Sequence, residues 1–316
     1  DIRKWNLESI LEMEEKKFDK NSIIGFGLLF LIVMWMFYNG AQNAKKEQAA
    51  KEKQEKIDKA NKAKIVPTKQ IAATIADTTK SDDVKLAQLK GTLGSFAYSA
   101  TLPSAKEDFT TIENELISLK IANKGGYIAE AKLKKFEKFK KGSGELVDLI
   151  NKNNADFNIT LQTADNRILN TKELFFEPTL TKVGENTILS MKLKAGLNQF
   201  LEYKYVLKPN QYMLDFDVRS QGLNTALNTS KPADLEWNLK AFNTERSVSY
   251  ENRYAEIHYG YEDGKDNYVG QGNDKEETPE KVSYIAYKQH FFTSILLTDK
   301  PFTTSKLYST TLMKDV

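Results

Sequence analysis

The sequence predicts a mainly β protein, a large antiparallel β-sandwich preceded by one apolar helix and a charged helical stalk. Three observations carry this. From about residue 94 onward, apolar and polar residues alternate with period two in several runs, the period of a half-buried strand. Turn residues punctuate those runs at Asn123-Lys124-Gly125-Gly126, Gly142-Ser143-Gly144, Lys208-Pro209-Asn210-Gln211, Asp263-Gly264 and Gly270-Gln271-Gly272. The 316 residues include 14 Tyr and 17 Phe, side chains that favour pleated, half-buried surfaces. A sheet with one apolar face needs a second layer to bury it, and a sandwich supplies one.

Residues 1–20 are mixed in charge. A start at Met13 would give a compact basic-then-apolar opening, so residues 1–12 are expected to lie upstream of the natural start. Residues 21–40 hold the only long uncharged apolar run, from 23 to 38, and basic residues precede it. The run comprises Ile23, Ile24, Phe26, Leu28, Leu29, Phe30 and Leu31, then Ile32, Val33, Met34, Trp35, Met36, Phe37 and Tyr38. As a helix, it covers roughly 24 Å, the short end of a bilayer span. Trp35 and Tyr38 stand near one end, where amphipathic rings favour the membrane interface. A cleaved leader is the competing reading. The run is longer than the usual leader core, and no A-x-A follows it. A buried core helix fits less well, because no polar face interrupts the run.

Residues 41–64 are Ala, Lys, Glu and Gln with almost no large apolar side chain. These are strong helix formers with nothing to bury, which reads as a solvated stalk. Residues 65–92, with Thr, Ala, Lys, Asp and Pro67, read as a flexible linker. The strand region then opens near Gly94 and extends to residue 316. Its first hairpin has Ile117, Leu119 and Ile121 running in, and Tyr127, Ala129, Ala131 and Leu133 running out. Its second has Leu201, Tyr203, Tyr205 and Leu207, then Tyr212, Leu214, Phe216 and Val218. Further strands are expected at Phe157–Leu161, Thr187–Leu193, Leu235–Leu239, Val282–Leu297 and Leu307–Leu312. No long amphipathic helix is expected after residue 95.

Composition narrows the chemistry. A formal net charge of +3 implies no strong field for polyanions, and no nucleic-acid partner is expected. Glu47, Glu52, Glu55 and Asp58 dilute the lysines of the stalk. There is no cysteine, so disulfides and thiolate metal sites are excluded. Only two histidines exist, His258 and His290. His290, among Tyr284, Tyr287, Phe291 and Phe292, could be a base or a ligand; a half-buried strand histidine bonded to its neighbour strand is the simpler reading. His258, with Glu251, Glu256, Asp263 and Asp266 near it in sequence, could line a sugar or metal site; solvated loop carboxylates are the simpler reading. The segment Tyr259–Gly272 could stack on peptide or carbohydrate, or be a plain loop. Gly125 and Gly126 read as turn residues. No phosphate-binding loop, dinucleotide fingerprint or zinc-protease motif occurs, and no catalytic residue, cofactor or metal is expected.

The order of these parts resembles the YidC-type membrane protein insertases of Gram-negative bacteria, in their Bacteroidetes-like version. The resemblance runs from about residue 13 to the end. It rests on DKNSIIGFGLLFLIVMWMFY, the Lys/Glu stalk, ENELISLKIANKGGYIAEAKLKKF (Glu113–Phe136) and SYIAYKQHFFTSILL (Ser283–Leu297). It implies a cytoplasmic segment 1–20, a membrane helix 21–40, a stalk and linker 41–93, and a periplasmic supersandwich-like domain 94–316, truncated at its end. It implies an inner-membrane location and a non-enzymatic insertase or chaperone component. The partners would be membrane lipid, nascent membrane proteins and the Sec translocon. The family's groove arginine has no matching position here, so no functional residue is carried over. An anchored carbohydrate-binding or carbohydrate-active sandwich is the alternative, since the family's domain is similar to sandwiches of sugar-processing enzymes. A structural envelope protein on a stalk is a third reading.

Overall fold

The structure, a computed structural model, describes residues 34–35, 82–270 and 275–310. The chain divides into two units, residues 1–63 and 64–316. In the first unit only Met34 and Trp35 are described, both helical and exposed. The other residues of the expected span, and the expected stalk, lie outside the described residues. Among the described residues no helix is long and apolar enough to cross a membrane.

The second unit is built mainly of antiparallel sheets with few helices. It opens with a helix, Asp82–Leu93, in the segment expected to be a linker. Leu89 and Leu93, four apart, share one helix face and are 4% and 1% exposed in the first core. Gly94 follows at φ +60, the left-handed position that ends helices without a Cβ penalty. Arg167 donates through Nε and Nη2 to the Gly91 carbonyl at 3.3 and 3.1 Å, satisfying an acceptor that the last helical turn leaves open. The helix replaces the expected linker over 82–92, where a lone pair of leucines in a polar stretch carries little periodic signal; residues 65–81 of that linker lie outside the described residues.

Strands β1 (Phe109–Glu113), β2 (Ile117–Ala122), β3 (Ile128–Glu137) and β4 (Leu146–Ile150) form a meander. The β2–β3 register shifts between Lys120 and Ile121, so Ile121 faces Ile128 while Leu119 faces Ala131. This bulge puts Ile128 in the place strict alternation reserves for Ala129. Next come β5 (Ala155–Gln162) and β6 (Ile168–Asn170). A second meander follows: β7 (Glu177–Val183), β8 (Asn186–Lys194), β9 (Phe200–Leu207) and β10 (Leu214–Gln221). β9 has the expected alternation, with Leu201, Tyr203, Tyr205 and Leu207 all buried. Tyr212 belongs to its turn and is exposed. β11 (Asp234–Leu239) pairs with β5, giving the order β11-β5-β6.

The segment Tyr259–Gly272 is not a loop where it is described. It belongs to a hairpin, β12 (Glu256–Tyr261) and β13 (Lys265–Val269), turning through Glu262, Asp263 and Gly264 at φ 42, 58 and 107. After β14 (Lys275–Glu277), the run 282–297 proves to be two strands, β15 (Glu280–Lys288) and β16 (Thr293–Thr304), with residues 289–292 turning between them. β17 (Leu307–Ser309) pairs with β14, and the sheet order is β13-β12-β15-β16. Two cores result. The first gathers the helix, both meanders, β5 and β6; the second gathers Ile257, Tyr259, Val269, Val282 and Leu307.

Candidate functional site

Gly125 and Gly126, at φ +88 and +66, do more than turn the chain. A Cβ on Gly126 would stand 3.1 Å from the Phe176 and Tyr203 rings, so the turn lies against the aromatic core. The Tyr205 hydroxyl donates to the Gly126 carbonyl at 2.7 Å, and Gly125 N–H donates to Leu174 O at 2.8 Å. Tyr203, Phe157 and Phe216 stack edge to face around that contact. Burial pushes the Tyr203 and Tyr205 phenols well above the ordinary tyrosine range.

The turn 289–292 joins the β15–β16 sheet to earlier parts of the chain. Gln289 donates to Phe242 O at 2.7 Å. His290 Nδ1 lies 2.6 Å from Glu245 Oε1, and its ring stacks on Tyr254 at 4.2 Å. Phe292 packs into the first core and meets Phe136 edge to face at 5.5 Å. His290 is therefore a turn residue clasped by residues 245–254, not a strand residue bonded across a ladder. Beneath it sits Glu251, 4% exposed. Its carboxylate accepts from the Thr244 N–H and hydroxyl, the Asn243 amide, the Glu245 N–H and Gln289 Nε2. This set of donors is what makes a buried carboxylate tolerable. Glu251 thus belongs to the fold and not to a site with His258.

His258, on β12, lies 2.8 Å from Glu256 and stacks on Tyr268 of β13. Lys288 reaches Glu256 at 3.4 Å and stands 5.9 Å from the centre of the Tyr254 ring. The polar residues thus form a row: Tyr268, His258, Glu256, Lys288, Tyr254, His290, Glu245. Of the neighbours expected for His258, only Glu256 joins it. Asp266 instead accepts from the Tyr284 hydroxyl at 2.8 Å. Asp263 sits in the hairpin turn. Among the described residues no group of three or more metal-ligating side chains could hold an ion. Acid–base chemistry needs an acid and a base converging on one point; here each histidine is matched to its own carboxylate along a line. Such a surface suits contact by stacking and charge. Glu245 and Tyr254, the partners of His290, carry no local sequence signal, since 45 residues separate Glu245 from His290.

The described β domain matches a family model. The model described as YidC periplasmic domain covers residues 110–315. The Membrane protein insertase YidC of Parabacteroides distasonis is 29% identical over 298 residues, covering 92% of this chain and 46% of that protein. That of Azobacteroides pseudotrichonymphae is 30% identical over 293 residues, covering 92% and 44%. The one from Chlorobaculum parvum is 22% identical over 300 residues, covering 89% and 46%. The chain spans about half the length of these relatives.

Proposed function

Because the chain belongs to the YidC family, with that family's periplasmic domain at residues 110–315, we propose that it is the anchor-bearing and periplasmic part of a membrane protein insertase. In this reading residues 21–40 hold the chain in the inner membrane, residues 1–20 lie in the cytoplasm, 41–93 are the connection, and 94–316 form a sandwich outside the cytosol. The work is non-hydrolytic. The insertase lowers the cost of moving polar segments of nascent membrane proteins through hydrocarbon. The β domain serves as a surface for those proteins and for the Sec translocon. The match over 110–315, placed after the apolar run 23–38, carries the reading. The row from Tyr268 to Glu245 is the surface we assign to partner contact.

The test is site-specific photocrosslinking in the native envelope, with the photoreactive residue at Phe291, which is 68% exposed beside the row. The expected adducts are nascent inner-membrane proteins and translocon subunits, and the chain resists alkaline carbonate extraction. Adducts absent at Phe291, with a soluble chain that binds glycans on an array, would replace the insertase with the anchored carbohydrate-binding alternative.

A further inference from the structure

The turn end of the β3–β4 hairpin combines cations with partly exposed rings. Residues 132–145 hold six lysines and two glutamates. Asp148 engages Lys132 and Lys138 at 3.8 and 3.0 Å, and Glu113 engages Lys134 at 2.7 Å. Glu137 is turned onto the Gly142 amide. Lys135, Lys140 and Lys141 are exposed and form no ion pair among the described residues. Next to them Phe136 and Phe139 are 44% and 45% exposed. The neighbouring turn adds Tyr212, 6.2 Å from Phe136, and Met213.

Phe139 is held at φ 64, a conformation that glycine adopts freely and a bulky residue resists. Its N–H donates to Thr244 O at 2.8 Å, so the backbone is pinned there. The residue itself stays 45% exposed. A strained bulky residue left nearly half exposed points to a use elsewhere. The whole chain carries only +3, so the positive density at this end is local.

We propose that this hairpin end docks on the surface of an anionic bilayer. Lys135, Lys140 and Lys141 meet lipid phosphates, and Phe136 and Phe139 enter the headgroup layer. Charge complementarity selects an anionic partner, and each lysine near such a surface strengthens attachment roughly fivefold. The rings select lipid among anionic partners. Aromatic side chains beside lysines are the composition of interfacial segments, whereas an acidic polypeptide would be met by the lysines and leave the rings in water. The proposal stands independently of the insertase reading, because it concerns what the hairpin touches and not what the protein inserts.

The full chain has no cysteine, so Ser143→Cys accepts a single environment-sensitive dye at the hairpin end. The chain is reconstituted in nanodiscs of phosphatidylcholine alone or mixed with phosphatidylglycerol, each doped with a spin-labelled quenching lipid. A dye at Thr181→Cys, exposed on β7, is the control. The expected result is several-fold stronger quenching at 143 in anionic discs, absent at 181. It falls to the neutral-disc level at raised salt and in the K135Q/K140Q/K141Q variant. Phe139→Gly, which suits the backbone, is expected to keep the parent's near-ultraviolet dichroism and melting temperature and to lose the quenching. Equal quenching in both disc types, equal quenching at 181, or an unchanged signal in the lysine variant would overturn the proposal. So would a dye response to polyglutamate with none to anionic lipid, which would make the partner an acidic protein.

Discussion

Single atoms set several outcomes in this fold. Gly126 cannot accept a Cβ without pressing on Phe176 and Tyr203. Gly126→Ala is therefore expected to cost about 2–3 kcal/mol, from the left-handed backbone and the crowding together. Gly91 is the opposite case. It is an exposed helical glycine with nothing within 4 Å of a built Cβ, so Gly91→Ala should stabilise by about 0.5–1 kcal/mol. Urea titration of both variants checks the pair, and equal effects would refute the argument. Glu251→Ala strands four donors, the Thr244 N–H and hydroxyl, the Asn243 amide and the Glu245 N–H; a loss of about 3–5 kcal/mol is expected by the same measurement. Phe139→Gly releases about 1–2 kcal/mol of left-handed strain and pays about 0.5–1 in chain entropy, so its midpoint should not fall.

Elements were legible in the sequence where their pattern was local. The β9 strand, buried at every second residue, and the turns at Gly125-Gly126 and Gly142-Ser143-Gly144 follow from alternation and from residues that tolerate positive φ. Three kinds of element escaped. Short edge strands such as β1 and β7 expose most of their residues, so they show no apolar rhythm. The β15–β16 hairpin turns at Gln289-His290-Phe291-Phe292, with no glycine or proline to mark it, because side-chain bonds to Phe242 and Glu245 hold the turn. The helix Asp82–Leu93 docks through only two buried leucines, Leu89 and Leu93, too few to give an apolar period. Its docking makes a prediction at this scale. Leu93→Ala, at a fully buried position, should cost about 2–5 kcal/mol, and hydrogen exchange should quicken throughout residues 82–93. Unchanged protection there would mean the helix is not part of the core. Of the candidate row, the sequence showed the two histidines and Glu256 beside His258; Glu245, Tyr254 and Lys288 join them only through topology.

At the scale of the whole molecule, buried phenols tie stability to pH. Burial first, and the Asp156 carboxylate second, push the Tyr287 phenol up to about 12. The folded state then holds this proton more tightly than the unfolded chain, whose phenol titrates near ~10. The contribution is whole below pH ~10 and is lost between about 10 and 12; it is on the order of 2 kcal/mol. Tyr203 and Tyr205 act in the same direction. The melting temperature should be flat below that window and drop through it, and Tyr287→Phe should soften the drop. A melting curve indifferent to pH up to 12 would count against buried phenols. The spacing of the two cores along the chain has a consequence for biogenesis. Apart from Phe292, the first core draws on residues 89–235, and the second on residues 257–307. A ribosome, or a pore exporting the chain head first, delivers nearly all of the first core before the second begins. The amino-terminal meanders can therefore collapse while the remainder is still threading. The Gln289–Phe292 corner arrives near the end and clips the late-made sheet onto a body already set.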